Sequence, residues 1–545
     1  MLLKEWEIWD TYSTFFIDSI NDLKDVALNL TQAGLLKYSL LDDGVYFWQE
    51  GDAILSGEAK VLLEPNRSEA SFNFNQKISD DYALETFLES LYFRFAELKQ
   101  FGQNKRFSTG YIRGHIGECR LVTDTYTYSI YPSIKLYATG VLLVDFRIIH
   151  PNTLVSTKEF IEEFLSLHKM RFRNILVPPS LHINGQHAFT ASEKLRWPLY
   201  RFGSWLVDKE ITKYVNQNTV KEKSDGFDFE FVPLWEDKEK TNETIESNGF
   251  LLEDLVLTIF QSVSVAAMGL RRGKSLIFSG PNKSLNLGSR WRGHPHIHLI
   301  KFNGQADLAQ QNEIKFKNDF GWIMAGLYEK PKEFGKKYLP PNSRELSDYG
   351  VYIANQATLW VWSKVGLNEM KKWEIPNRGH FVYLHQSICE MLDYGFSLHQ
   401  RMLELVSNLN TFDEALNAKQ TLVNLETEMQ NLSPYGEISD LLRQGWNSMG
   451  VDRLRIAISE IIALKQTQAS DTEERQNFRW QFALTILFGS LAIPELARSI
   501  IKPLWELSTL PRSQDINLAG LGDIVVALFL VSPFLMLALL KVSRK

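Results

Sequence analysis

The sequence predicts an α+β cytosolic region followed by a long-helix stalk and two transmembrane helices. Three observations carry this: an uncharged apolar run near the C-terminus, a helical spacing of apolar residues from about 376 to 470, and mixed helical and alternating patterns before that. At 545 residues the chain is several times the usual domain size, so more than one packed unit is expected. The divisions that follow are a mixed α+β sensing region at 1–375, a helical stalk at 376–479 and a two-span membrane domain at 480–545.

Within 1–375, helical spacing marks Asp81–Gln100, Thr157–Met170 and Leu252–Met268, and strand patterns mark Val45–Leu55, Tyr126–Tyr131, Lys135–Ile149 and His296–Lys301. Polar stretches at Lys221–Asp225 and Glu236–Asn248 place a candidate domain boundary near 221–248, and prolines and charges cluster at Pro331–Pro341. The opening MLLKEWEIWDTYSTFF carries acids early and has no basic stretch before an apolar core, which excludes a secretory signal and keeps this region in the cytosol. With 59 basic against 65 acidic residues and a net charge of -6, no nucleic-acid partner is expected. Cys119 and Cys389 stand far apart, so neither a disulfide framework nor a thiolate metal site has support.

The segment RRGKSLIFSGPNKSLNLGSRWRGHPHIHLIK places Arg271, Arg272, Lys274, Lys283, Arg290 and Arg292 among glycines and serines. Cations and backbone donors in that mixture suit a small anionic or nucleotide ligand, although P-loop spacing is not met and a solvated basic loop is the commoner explanation. His294, His296 and His298 alternate, so on a strand they share a face and suit zinc or another divalent cation; structural histidines are commoner, and Pro295 interrupts the pattern. No GxSxG, HExxH, kinase or Rossmann fingerprint occurs, which favours a non-enzyme. The enzyme alternative is a membrane-anchored metal-dependent hydrolase or nucleotide-processing protein built on the three histidines.

In the stalk, Phe381, Leu384, Ile388, Met391, Gly395, Leu398, Met402, Leu405 and Leu409 step by three and four, the seam of a long packed helix. Phe412 to Leu432 repeats the pattern up to Ser433 and Pro434, and a third helix begins near Glu437, with an interruption expected around Gly450, and runs from Asp452 toward Trp480 and on into the membrane domain. The first expected span is Trp480–Ile493 and the second is Ile524–Leu540, which has no charge. Arg475 and Arg479 before the first, and Lys541, Arg544 and Lys545 after the second, put both termini in the cytosol of a multi-pass inner-membrane protein. Gln481, Thr485, Gly489, Ala492 and Glu495 form a small or polar stripe on the first span, suited equally to lining a pore and to close helix packing.

This order of parts, from about 376 to 545, resembles the CorA family of divalent cation channels. The resemblance implies a homopentamer in the lipid bilayer, with its pore along the long helix and the first span. It also implies a cation-transport function, with a divalent cation as the bound ion. The family's Gly-Met-Asn signature is absent, the corresponding stretch reading GSLAIPELARS, so magnesium selectivity is not implied. Divergent members without the signature are known beside bacterial antiviral systems, where a nucleotide signal opens them. By that resemblance the N-terminal region is the sensor of an antiviral-defence effector.

Overall fold

The computed structural model describes residues 1–496 and 499, except 18–19, 21, 43, 50–52, 65–66, 75, 79, 103–109, 150–153, 195–199, 225, 235–248, 268–286, 328–336, 345, 373–378 and 410. The strands are β1 (Leu2–Phe15), β2 (Tyr38–Leu40), β3 (Gly44–Gln49), β4 (Ala53–Glu64), β5 (Arg67–Phe74), β6 (Tyr111–His115), β7 (Cys119–Val122) and β8 (Thr127–Tyr137). They continue as β9 (Val141–Ile149), β10 (Val155–Ser156), β11 (Asn174–Val177), β12 (Val220–Ser224), β13 (Phe227–Pro233), β14 (Trp291–Phe302), β15 (Tyr349–Ile353) and β16 (Thr358–Trp362). The helices are α1 (Leu23–Gln32), α2 (Asp81–Phe101), α3 (Pro179–Lys194), α4 (Tyr200–Asn218), α5 (Leu252–Ala267) and α6 (Ala309–Ala325). After them come α7 (Lys364–Lys372), α8 (Gly379–Ser407), α9 (Phe412–Gln430), α10 (Gly436–Met449) and α11 (Val451–Leu496).

Local chemistry starts several of these elements. Asp22 caps α1 by accepting from the Lys24 and Asp25 amides at 2.8 and 3.2 Å, and Asp80 caps α2 by accepting from Ala83 at 2.9 Å. Gly450, at φ 84°, closes α10 in the left-handed conformation that glycine adopts without strain, and α11 begins at the next residue.

Among the described residues the strands join in one 16-stranded mixed sheet whose main path runs β15-β16-β14-β1-β9-β8-β6-β2-β3-β4-β5. β14 and β16 pair in parallel, while β1 pairs antiparallel with both β14 and β9. The central strands alternate. Ile8, Ile134, Leu136, Val144, Phe146, Ile297 and Leu359 enter one apolar core, which α1, α5, α6 and the irregular helical turns of 157–169 complete. The opposite face is covered by α8 and α2, with α10 packed against both α8 and β15. Gly395 lets α10 come close: a methyl group there would sit 2.5 Å from the Trp446 ring, whose Nε1 donates to the Leu392 carbonyl at 3.1 Å.

The predicted helices at 81–100 and 252–268 form as α2 and α5, and 157–169 is helical too, as a short α-helical turn at 157–159, a π-helical stretch at 160–165 and a 3-10 turn at 167–169. The two strand patterns between 126 and 149 form β8 and β9 with the turn at 138–140, and the pattern at 45–55 is a hairpin of β3 and β4. The chain forms two compact units, 1–408 with 419–460, and 409–418 with the residues from 461 onward.

The predicted fold class is corrected. The architecture is mixed α/β around the large sheet, and α8, expected in a stalk, is packed on that sheet inside the first unit. No helix of the described residues is long and apolar enough to cross a membrane. The first expected span lies within α11, where the apolar stretch Trp480–Ile493 is shorter than the roughly 20 residues that a span requires and is preceded by Arg475 and Arg479. The second, Ile524–Leu540, lies outside the described residues.

Candidate functional site

The side of the sheet facing α8 carries a polar layer among apolar residues, buried except for the half-buried Arg147. β1 contributes Glu7, Thr11 and Ser13; β6 Arg113 and His115; β8 Ser133 and Lys135; β9 Asp145 and Arg147; β14 His296 and His298. Strand pleating sends these to one face because on each strand they lie an even number of residues apart. Above them, α8 presents Tyr383, Gln386, Glu390, Asp393 and Ser397, spaced by three and four along one helical stripe.

Glu390 is the centre of this layer. Arg113 donates Nη1 and Nη2 to its two oxygens at 2.9 and 2.7 Å, and Lys135 donates Nζ to Oε2 at 3.1 Å. Lys135 also donates to Glu97 on α2, which accepts from the Tyr111 hydroxyl as well. The Arg113 guanidinium lies 3.8 Å from the centre of the Phe93 ring. Burial would raise the Glu390 carboxyl, but the two cations outweigh it and hold the pKa at about 2.

Arg147 forms a second node, donating Nε and Nη2 to Glu7 at 3.2 and 3.1 Å and Nη1 to Glu89 on α2. Tyr383 of α8 donates its hydroxyl to Glu89 at 2.5 Å, so this node also ties helix to sheet. Beside it, burial lowers His115 to about 4, and its ring stacks on Tyr38 at 5.9 Å.

The histidines of β14 are taken up by α8. His296 Nε2 lies 2.7 Å from Asp393 Oδ2; burial opposes its charge, but Cys389 and Asp393 beside it raise its pKa well above the usual range. His298 Nε2 lies 3.3 Å from Gln386 Oε1, and burial lowers it to about 3, a neutral ring. His385 is also held neutral by burial, among Trp360 at 4.2 Å, Tyr349 at 4.3 Å and Trp362 at 4.9 Å. Trp360 donates Nε1 to the Cys389 sulfur at 3.2 Å.

Asp145 differs from the other carboxylates in the layer. It accepts from Thr11 Oγ1 at 2.6 Å, while its Oδ2 has no hydrogen-bond partner among the described residues. Burial and the nearby Glu390 raise it to about 7.

The sequence-predicted sites are distributed unevenly. His296 and His298 do share one strand face, and Pro295, which has no N–H for the ladder, falls where the β1 register shifts between Asp10 and Tyr12. His294 lies on β14, and its side chain is not described. Among the described residues no group of three or more His, Cys, Asp or Glu side chains is arranged to hold a metal ion. Arg271, Arg272, Lys274 and Lys283 lie outside the described residues; Arg290 is exposed, and Arg292 is on β14 with its side chain not described. Ser289, next to Arg290, donates its amide and hydroxyl to Glu404 of α8 at 3.1 and 3.0 Å. Gln481 is exposed on α11, which also carries Thr485, Gly489, Ala492 and Glu495, whose side chains are not described.

Apart from His296 and His298, sequence reasoning missed the ionic layer. Its signal was the polar spacing at 383, 386, 390, 393 and 397, overlooked because the apolar seam on the same helix was sufficient to mark it as packed.

No protein-family model matches the chain, and no curated protein or solved structure matches it. Function is therefore argued from the residues. A sealed layer of paired charges holds a helix in one arrangement, and removing one charge from it is costly.

Proposed function

We propose that this chain is a self-assembling effector that responds to a small anionic ligand. The basic segment 271–292 takes the ligand, α8 moves in response, and α11 is the output element. The observation that carries this reading is the tie from Ser289 to Glu404, which links the end of the basic segment to α8. Arg401, one turn earlier, donates to the Phe16 and Ile17 carbonyls at 3.0 and 3.1 Å, so this end of α8 is also fixed to the end of β1.

α11 supports the assembly part. At 46 residues it is about 69 Å long, and it leaves Phe478, Trp480 and Leu484 exposed at 45%, 64% and 49%. Exposed aromatic residues beside Glu474, Arg475 and Arg479, charges of both signs, suit a second copy of the same helix.

A CorA-like cation-conducting assembly is the second reading. It is favoured by the continuity of α11 through Gln481, Thr485, Gly489, Ala492 and Glu495 in a single helix. Titrating full-length protein with ATP as an anionic probe, and following hydrogen exchange in α8, tests the first reading. Slower exchange that Arg290→Glu abolishes supports it; ATP binding with α8 exchange unchanged removes it. Ion flux from liposomes, altered by Glu495→Ala, distinguishes the second.

A further inference from the structure

We infer that Asp145 is a proton-binding site that sets the state of α8: neutral Asp145 keeps the helix on the sheet, and ionised Asp145 drives it off. This rests on reading α8 as the moving element and adds the signal that biases it.

The geometry starts from an imbalance. Among the described residues, the carboxyl groups in the layer between α8, α2 and the sheet are Glu7, Glu89, Glu97, Asp145, Glu390 and Asp393, and the cations paired with them are Arg113, Lys135, Arg147 and protonated His296, while Arg401 and Glu404 lie further along α8 and bond to the chain at 16–17 and to Ser289. Every one of these acids except Asp145 has a cation within ion-pair distance. Asp145 has the Thr11 hydroxyl and one oxygen with no hydrogen-bond partner among the described residues, at 1% exposure. An isolated carboxylate cannot be buried cheaply, so it takes up a proton instead.

The groups facing Asp145 fix the direction of the response. From β1 it meets Thr11 and from β8 Ser133, its register partner; Arg147 follows it on β9, and Arg113 acts on it from β6. The charges acting on it from α8 are Glu390 and Asp393, both negative. A charge appearing on Asp145 therefore repels α8 itself, because the cations of the sheet are already engaged by other acids.

Infrared difference spectra of the full-length protein, wild type against Asp145→Asn, test the proton directly. The expected result is a protonated-carboxyl carbonyl band in wild type at about pH 6 that is absent in the variant and lost by about pH 8.5. No such band at about pH 6 overturns the inference. Hydrogen exchange in α8, corrected for intrinsic rates, tests the movement: a rise of about tenfold or more between those pH values in wild type, and none in Asp145→Asn. A band with unchanged α8 exchange leaves a proton site without a switch and overturns the link to α8. Should Asp145→Asn not fold, Thr11→Val removes the one hydrogen bond that favours the charged form and moves both transitions to higher pH; transitions that stay in place count against the inference.

Discussion

Arg113 and Glu390, 277 residues apart in sequence, meet in a two-pronged ion pair at 2.7 and 2.9 Å that joins β6 to α8 with both side chains almost fully buried. Lys135 completes it from the neighbouring strand β8.

Glu390→Gln leaves Arg113 and Lys135 buried with less than their compensation. The expected loss of stability is about 3–5 kcal/mol, because desolvated cations without a counter-charge dominate such changes. Urea unfolding of full-length protein measures it. Adding Arg113→Met to Glu390→Leu should cost less than Glu390→Gln alone, since Lys135 retains Glu97.

How much of this was legible in the sequence depends on burial. The apolar alternation of β8, β9 and β14 and the seam of α8 were readable, since Ile134, Leu136, Ile297 and Leu398 enter the cores. β1 was not read as a strand, because Glu7, Asp10, Thr11, Ser13 and Thr14 are buried in it and a central strand is expected to be apolar. Alternation distinguishes two faces, but it does not tell whether the polar one meets water or a helix. Here Arg113, Lys135 and Asp145 meet α8, and their partners come from sequence too distant for spacing to connect. The first expected span erred in another way: an apolar stretch of about 14 residues continues a long helix without being long enough to cross a bilayer.

Stability should pass through a maximum near neutral pH. His115 and His298 are depressed from 6.5 to about 4 and about 3, so their contribution is present above 6.5 and lost as pH falls through those values. Glu390, depressed from 4.5 to about 2, adds to the loss on the acid side. Asp145, raised from 3.8 to about 7, acts oppositely: its contribution is present below 3.8 and lost as pH rises through about 7. His296, raised above 6.5, also weakens the fold on the alkaline side. Urea midpoints across this range should rise to about pH 6.5 and then fall; a flat profile above that point contradicts the assignment.

The two kinds of histidine should respond differently to substitution. His385→Phe replaces a neutral ring among aromatic rings and should cost less than about 1.5 kcal/mol. His296→Phe takes away the ion-pair partner of Asp393 and should cost about 3 kcal/mol or more. Thermal melts of the two variants side by side decide it, with equal losses counting against the charged state of His296.

The most direct test of a self-assembling effector is the mass of the full-length protein in mild detergent, measured by light scattering corrected for detergent, for wild type and for Trp480→Glu with Leu484→Glu. The account predicts one closed oligomer for wild type and smaller species for the variant. A wild-type monomer at every concentration would contradict it.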